Sequence, residues 1–150
     1  MSGVQFRSRI STAVLLLAAA GCSQRVEVTP VRLVAPAMVV EQFLGAVNAK
    51  DYMRMGSLFG TKDGPVTERD DQDNVEKRMF ALASVLRHED YKVEGEQPVP
   101  GRPDEAVQLT VIMTIGEKKF TVPFTVVRSK GESWLVEDIG ITNITFPKQN

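Results

Sequence analysis

The sequence predicts an α+β domain in which two or three N-terminal helices pack on a four-stranded antiparallel sheet. Apolar residues recur at helical spacing between residues 37 and 86, and they alternate with a period of two from residue 91 onwards. A helical half followed by a strand half favours α+β over α/β. Short turns at Gly116 and Gly131 then join neighbouring strands as hairpins, so the sheet is antiparallel.

Two helices are predicted before residue 60. Helical spacing from Ala37 to about Lys50 indicates an amphipathic first helix. Its apolar face consists of Val39, Val40, Phe43, Leu44 and Val47. Asp51 then stands where an N-cap is needed for a short second helix that ends at Leu58.

An acidic segment precedes the third predicted helix. Residues 60–74 carry glycine, proline and charges without an apolar period, so a loop is expected. The clustered Asp70, Asp71 and Asp73 raise the possibility of calcium, but the glycine and glutamate that an EF-hand needs at its sixth and twelfth positions are missing. Asp73 and Glu76 instead have capping-box spacing, so a helix cap is the preferred interpretation.

The third helix follows this cap. Its apolar face consists of Val75, Met79, Leu82, Ala83 and Leu86. The helix is expected to end near His88, the only histidine of the chain. We expect His88 on the surface in the last turn, where a cation complements the helix dipole, rather than in a proton-transfer role.

Four strands are predicted after residue 90, the first beginning at Tyr91 and followed by a Gly- and Pro-rich connection over residues 95–104. The side chains expected to face the helices are Val107, Leu109, Val111, Phe120, Val122 and Phe124. The opposite face carries Thr110, Ile112, Thr114, Thr121, Thr125 and Val127. Because this face is only half polar, a second copy or an envelope protein could cover it, with Ile112, Thr121 and Val127 as interface candidates. Pro123, in mid-strand, predicts a bulge or a local edge.

The N-terminus has the pattern of a secretory signal over residues 1–21. Arg7 and Arg9 precede an apolar run, residues 13–20, that is too short to span a bilayer. The following "AAGC" resembles the lipobox of bacterial lipoproteins. The resemblance implies cleavage before Cys22 and attachment of lipid to its sulfur, which would hold the protein on a membrane.

The lipobox also predicts the domain organisation and the location of the chain. Residues 22–36 read as a lipidated extended tether, and residues 37–150 as the folded domain. The expected location is the bacterial cell envelope, facing the periplasm. Ser23 after the cysteine favours the outer over the inner membrane, by analogy with lipoproteins.

Composition bounds the remaining classes of function. A formal charge of −1 with no clustered basic face gives no support for nucleic-acid binding. The single cysteine excludes an intramolecular disulfide. No Cys–His metal spacing and no Gly-rich phosphate loop occur, so neither a metal nor a cofactor is predicted.

Two segments resemble the nuclear-transport-factor-two-like, or cystatin-like cone, superfamily. "VVEQFLGAVNAKDYMRMGSLF" is similar to its opening helix and Ala-x-x-x-Asp step, and "SWLVEDIGI" is similar to its closing strand. Together they imply that residues 37–145 form a curved sheet around a long helix, with a conical pocket between them. Members include isomerases, dehydratases and binding modules, so the resemblance does not decide the function.

Enzymes of this superfamily place an acid, a histidine or a tyrosine inside the cone. The candidates here are Asp138, which shares the Trp134 side of its strand if the alternation holds, and Tyr52. A bulge before Ile139 would turn Asp138 outwards. Trp134 is expected to anchor the core at the cone mouth, and Tyr52, Trp134 and Asp138 are the pocket candidates.

The expected function is non-enzymatic binding of a small apolar ligand or a protein partner by a lipid-anchored envelope domain. The alternative is a small acid–base enzyme of the isomerase or dehydratase type that uses a pocket carboxylate.

Overall fold

The computed structural model describes residues 34–144 and confirms the predicted fold class, with three helices packed on one four-stranded antiparallel sheet. The helices are α1 (Val34–Ala49), α2 (Tyr52–Leu58) and α3 (Gln72–Leu86). The strands are β1 (Gly60–Thr61), β2 (Gly64–Pro65), β3 (Asp90–Pro98), β4 (Ala106–Ile115), β5 (Lys118–Arg128) and β6 (Trp134–Ile139). Two 3₁₀ turns cover Val66–Glu68 and Ile141–Asn143.

Helix α1 begins at Val34, three residues before the predicted start at Ala37 and inside the predicted tether. The predicted signal peptide, Cys22 and the tether up to residue 33 lie outside the described residues. Between residues 34 and 144, no helix combines the length and the apolar character that crossing a membrane requires.

Aspartates cap the second and third helices. Asp51 caps α2 as predicted, because its Oδ1 accepts a hydrogen bond from the Arg54 N–H at 2.9 Å. The cap of α3 is Asp71 and not Asp73, since Asp71 Oδ1 accepts from the Asn74 N–H at 3.1 Å while Asp73 lies in the first turn. The helix therefore starts two residues earlier than the capping-box spacing suggested.

The segment between α2 and α3 is more ordered than the predicted loop. Strands β1 and β2 pair as a small hairpin, with Thr61 opposite Gly64, and a 3₁₀ turn follows. Both glycines are required: Gly64 has φ +126°, and a Cβ on Gly60 would lie 2.3 Å from the Gly64 carbonyl oxygen. Closely spaced glycines thus make a turn that an apolar period could not reveal.

The sheet has the order β3-β4-β5-β6, and every neighbouring pair is antiparallel. Leu109 pairs with Phe124 and Val111 with Val122, and all four are buried on the face that carries the helices, as predicted. From the helices, Phe43 and Leu44 fill the same core and are wholly buried. Each such side chain contributes about 1.5–3 kcal/mol through burial.

A β-bulge interrupts strand β6. Thr125 pairs with Asp138 and Val126 with Val136, so Glu137 has no partner on β5. The extra residue places both Val136 and Ile139 in the core.

The pairing of β5 with β6 ends beside Pro123. The last pair is Phe124 with Ile139, and the Pro123 carbonyl then accepts from the Gly140 N–H at 2.8 Å. The missing N–H of Pro123 therefore falls at a local edge, one of the two outcomes predicted for this proline. The approach is close, because a Cβ on Gly140 would lie 2.5 Å from Pro123 Cγ.

We expect Gly140→Ala to lower the free energy of unfolding by about 1–3 kcal/mol, because the new methyl group overlaps the Pro123 ring. The matched control is Gly45→Ala in α1, whose Cβ meets no atom within 4 Å; it should gain about 0.5–1 kcal/mol from helix propensity. Urea unfolding measures both, and a gain in stability at both positions would contradict the packing described.

Candidate binding clefts beside helix α3

A hydrogen-bonded clamp joins the end of α1 to the residues after α3. The Asn48 side chain donates from Nδ2 to the His88 carbonyl oxygen at 3.0 Å, and its Oδ1 accepts from the His88 N–H at 3.3 Å. Nδ2 also lies 3.3 Å from His88 Nε2. One amide thus satisfies the main chain of His88 in the manner of a neighbouring strand.

The clamp fixes the tautomer of His88. Its Nδ1 lies 2.9 Å from the Leu86 carbonyl oxygen, which can only accept, so Nδ1 carries the hydrogen. Nε2 is then an acceptor and receives the second Nδ2 hydrogen of Asn48. The expected surface position of His88 was wrong: the residue is only 7% exposed, and its ring packs edge-on against Tyr91 at 5.3 Å between centroids. Burial, with help from the charges of Glu41 and Asp90, raises the pKa of Tyr91.

A first cleft, here called the Tyr52 cleft, lies between α3 and the junction of α1 with α2. Its volume is about 300 Å³, and its lining consists of Val47, Lys50, Tyr52, Phe80, Ala83, Ser84 and Arg87. The rings of Tyr52 and Phe80 meet edge to face with centroids 5.8 Å apart. Phe80 is 58% exposed, so this cleft offers an aromatic surface to solvent.

The second cleft, here called the α3 groove, lies on the other flank of α3. Its volume is about 400 Å³, and its lining consists of Phe59, Arg78, Met79, Ala81, Leu82, Val85 and Ile141. Six of these seven side chains are apolar, and Ile141 is 40% exposed at the edge. The guanidinium of Arg78 forms an ion pair with Asp70, which leaves the groove without an uncompensated charge.

The structure does not bring the three predicted pocket residues together. Tyr52 lines the Tyr52 cleft, whereas Trp134 lies partly buried against the core on β6. The placement of Asp138 in a pocket was wrong, because the bulge at Glu137 turns its side chain to the exposed outer face of the sheet. Tyr52 therefore lies among the helices and Asp138 on the opposite face of the sheet, so these two residues do not form an acid–base pair.

One interface candidate is also misplaced. Val127 is buried, not exposed, because it forms a small second core with Ala106 and Leu135 under Val99. The connection between β3 and β4 covers this end of the outer face. It is held by the Arg102–Glu137 ion pair, with two N–O contacts of 3.1 and 2.8 Å that raise the pKa of Arg102.

The other two interface candidates, Ile112 and Thr121, pair with each other on the outer face of β4 and β5, where Ile112 is half-buried and Thr121 exposed. Their role as an interface stays a prediction.

Each member of the acidic segment has a partner or role within the chain. Asp71 caps α3, Asp70 pairs with Arg78, and Asp73 lies in the first turn, where its charge favours the helix dipole. Between residues 34 and 144, no group of three His, Cys, Asp or Glu side chains is arranged to hold a metal ion.

With the fold and clefts defined, the described chain is an α+β domain whose helices cover one face of an antiparallel meander. No protein-family model matches the chain, and no curated protein matches it. Among solved structures it is similar to an NTF2-like protein of unknown function from Cytophaga hutchinsonii, with 17% identity, a TM-score of 0.40, and coverage of 67% of this chain and 87% of that one.

A phospholipid-binding protein from Ralstonia solanacearum, solved in complex with a phospholipid, is similar at 14% identity and a TM-score of 0.34. That alignment covers 70% of this chain and 76% of the other.

Sequence reasoning missed several residues that shape the clefts. Phe80 lies outside the apolar face of α3, and an aromatic side chain on a polar face is a signal that could have marked it. Ile141 follows the last strand in a segment with no helical or strand periodicity, so no pattern marked it. The role of Asn48 left no local signal, because its partner is 40 residues away.

Removal of the clamp should destabilise the fold. We expect Asn48→Ala to lower the free energy of unfolding by about 1–3 kcal/mol, because it leaves the His88 N–H and carbonyl unpaired beside a buried ring. The control is Gln42→Ala on the same helix, which removes one exposed hydrogen bond to Arg54 and should change stability by less than about 0.5 kcal/mol. Chemical unfolding measures both, and equal effects would show that the clamp adds nothing.

Proposed function

We propose that the chain is a binding domain that takes a small apolar ligand in the α3 groove. The observation that carries this proposal is the lining of the groove, six apolar side chains around a space of about 400 Å³. Ligand pockets usually have volumes of about 300–1,000 Å³ and mainly apolar walls. Each methylene that moves from water into such a groove contributes about 0.8 kcal/mol.

The charge at the groove favours a ligand with an uncharged body. Arg78 is paired with Asp70, so a ligand that separates the pair without replacing the carboxylate would leave a charge uncompensated. Among the described residues that line the groove, Arg78 is the only ionisable side chain, and a guanidinium that stays protonated is a poor general acid or base. Both points support binding rather than acid–base catalysis at this place.

The domain is proposed to act at a membrane surface through lipid on Cys22. The support is the sequence pattern alone: a basic start, a short apolar run and "AAGC". Two acyl chains on the sulfur would be enough for stable anchoring. In this proposal the anchored domain faces the periplasm and takes up apolar molecules near the bilayer.

Ligand binding can be tested with the neutral fluorescent probe N-phenyl-1-naphthylamine. We expect saturable binding to residues 23–150, and Ala81→Trp should weaken it about tenfold or more because an indole then fills the groove from an exposed position. Ser84→Trp, which alters the Tyr52 cleft instead, is the matched control and should leave the neutral probe bound.

Native mass spectrometry of the same variants would show whether a ligand is retained during purification. Equal probe binding by the wild type, Ala81→Trp and Ser84→Trp proteins would contradict the assignment of the groove.

The lipid anchor has its own test. We expect the wild-type protein in a bacterial host to fractionate with membranes and to carry a diacylglyceryl mass on the peptide that begins at Cys22. Cys22→Ser should abolish both, whereas Ser23→Ala should change neither. A wild-type protein with an unmodified thiol at Cys22 would refute the anchor and leave the groove unaffected.

A further inference from the structure

Two cations, Lys50 and Arg87, stand at the Tyr52 cleft without an ion-pair partner. Lys50 directly follows α1 and Arg87 directly follows α3. Neither forms an ion pair with any residue between 34 and 144, although five other ion pairs occur in that range. The two positive charges therefore lie uncompensated beside an aromatic cleft.

Main-chain donors occupy several carbonyls at the two helix ends. The Lys50 N–H donates to the Val47 carbonyl and the Asp51 N–H to the Ala46 carbonyl, which together form a Schellman motif. At the end of α3, the Arg87 N–H donates to the Ala83 carbonyl. These three carbonyls are therefore occupied by main-chain donors, and the Lys50 and Arg87 side chains make no hydrogen bond to a helix carbonyl between residues 34 and 144.

Lys50 also occupies a backbone conformation that suits glycine better. Its φ is +56°, in the left-handed region where a Cβ crowds the following carbonyl oxygen. Stability alone would favour glycine at this place in the Schellman motif. A lysine here supplies a charge at the cost of backbone strain, and strained residues of this kind cluster at functional sites.

The Asn48–His88 clamp holds the two cations next to one cleft. Lys50 lies two residues after Asn48, and Arg87 directly precedes His88. The clamp thus fixes the chain positions from which both side chains extend. Because the main chain is fixed at both positions, the site loses less conformational entropy when the ligand arrives.

We propose that the Tyr52 cleft binds a small amphiphilic anion, with an aryl or short alkyl body on Phe80 and a carboxylate or sulfonate group between Lys50 and Arg87. The guanidinium can hold such a group through two parallel hydrogen bonds. Buried Val47 and Ala83 form the apolar floor, and the exposed ring of Phe80 forms a wall. This site is separate from the α3 groove, because the two clefts lie on different flanks of α3.

The test uses the anionic probe 8-anilinonaphthalene-1-sulfonate and the full chain in the Ala81→Trp background, which blocks the α3 groove. We expect saturable binding that weakens with added salt. Lys50→Gly and Arg87→Gln should each weaken it at least about fivefold, and Ser84→Trp should abolish it by filling the cleft. With Ala81 retained, so that the α3 groove is open, binding of the neutral probe N-phenyl-1-naphthylamine should not respond to Lys50→Gly or Arg87→Gln.

Lys50→Gly gives a second, opposite readout. Its melting temperature should rise by roughly 4 °C, because glycine relieves the left-handed strain, while affinity for the anion falls. Glu117→Gly is the matched control: Glu117 also has a positive φ, of +68°, in the β4–β5 turn, so the variant should gain stability and keep its affinity.

Three outcomes would overturn the proposal: unchanged anion affinity in Lys50→Gly and Arg87→Gln, an equal loss for the neutral probe, or no saturable anion binding at all. The proposal for the α3 groove would be refuted by a different result, namely neutral-probe binding that is unchanged in Ala81→Trp. The two sites can therefore be refuted independently.

Discussion

The arrangement of the helices depends on one side-chain amide. Asn48 stands at the end of α1 and forms hydrogen bonds with the N–H, the carbonyl and the ring of His88 after α3. This contact connects two helices that are otherwise linked mainly by apolar side chains. Apolar packing fixes how far apart two helices lie, but it is not directional, whereas a hydrogen bond also fixes their orientation. It also aligns the point at which the chain leaves α3 and enters β3, so the helical layer and the sheet share one junction.

The two clefts follow from how α3 is covered. Its buried stripe, Val75, Met79, Ala83 and Leu86, packs against the other helices and the core, with Gly56 of α2 so close that a Cβ would lie 2.5 Å from Val75 Cγ1. Because only this stripe is closely packed, the two flanks of α3 stay open. One flank meets Phe59 and Ile141 and is apolar, whereas the other meets the end of α1 and carries charge. Different neighbours thus give one helix two chemically distinct surfaces.

Much of the fold could be predicted from local patterns. The helical face of α1, the Asp51 cap and the alternation of β4 and β5 each arise within a few residues, where periodicity and propensity act. What failed was set by distant contacts. The bulge at Glu137 depends on the pairing of β6 with β5, and no glycine or proline marks it. The burial of His88 depends on Asn48, and the burial of Val127 depends on the β3–β4 connection. The alternation within a single strand cannot show such contacts, so it placed Asp138 in a pocket and Val127 on the surface.

The most direct test of this account is the tautomer of His88, measured by ¹⁵N NMR of the imidazole ring in the folded protein. We predict that the ring hydrogen lies on Nδ1, because Nδ1 faces the Leu86 carbonyl at 2.9 Å and Nε2 accepts from Asn48. In Asn48→Ala the Nε2 resonance of His88 should move, while the resonances of the sheet residues keep their chemical shifts. A hydrogen on Nε2 in the wild-type protein would contradict the clamp, and with it the positions assigned to Lys50 and Arg87.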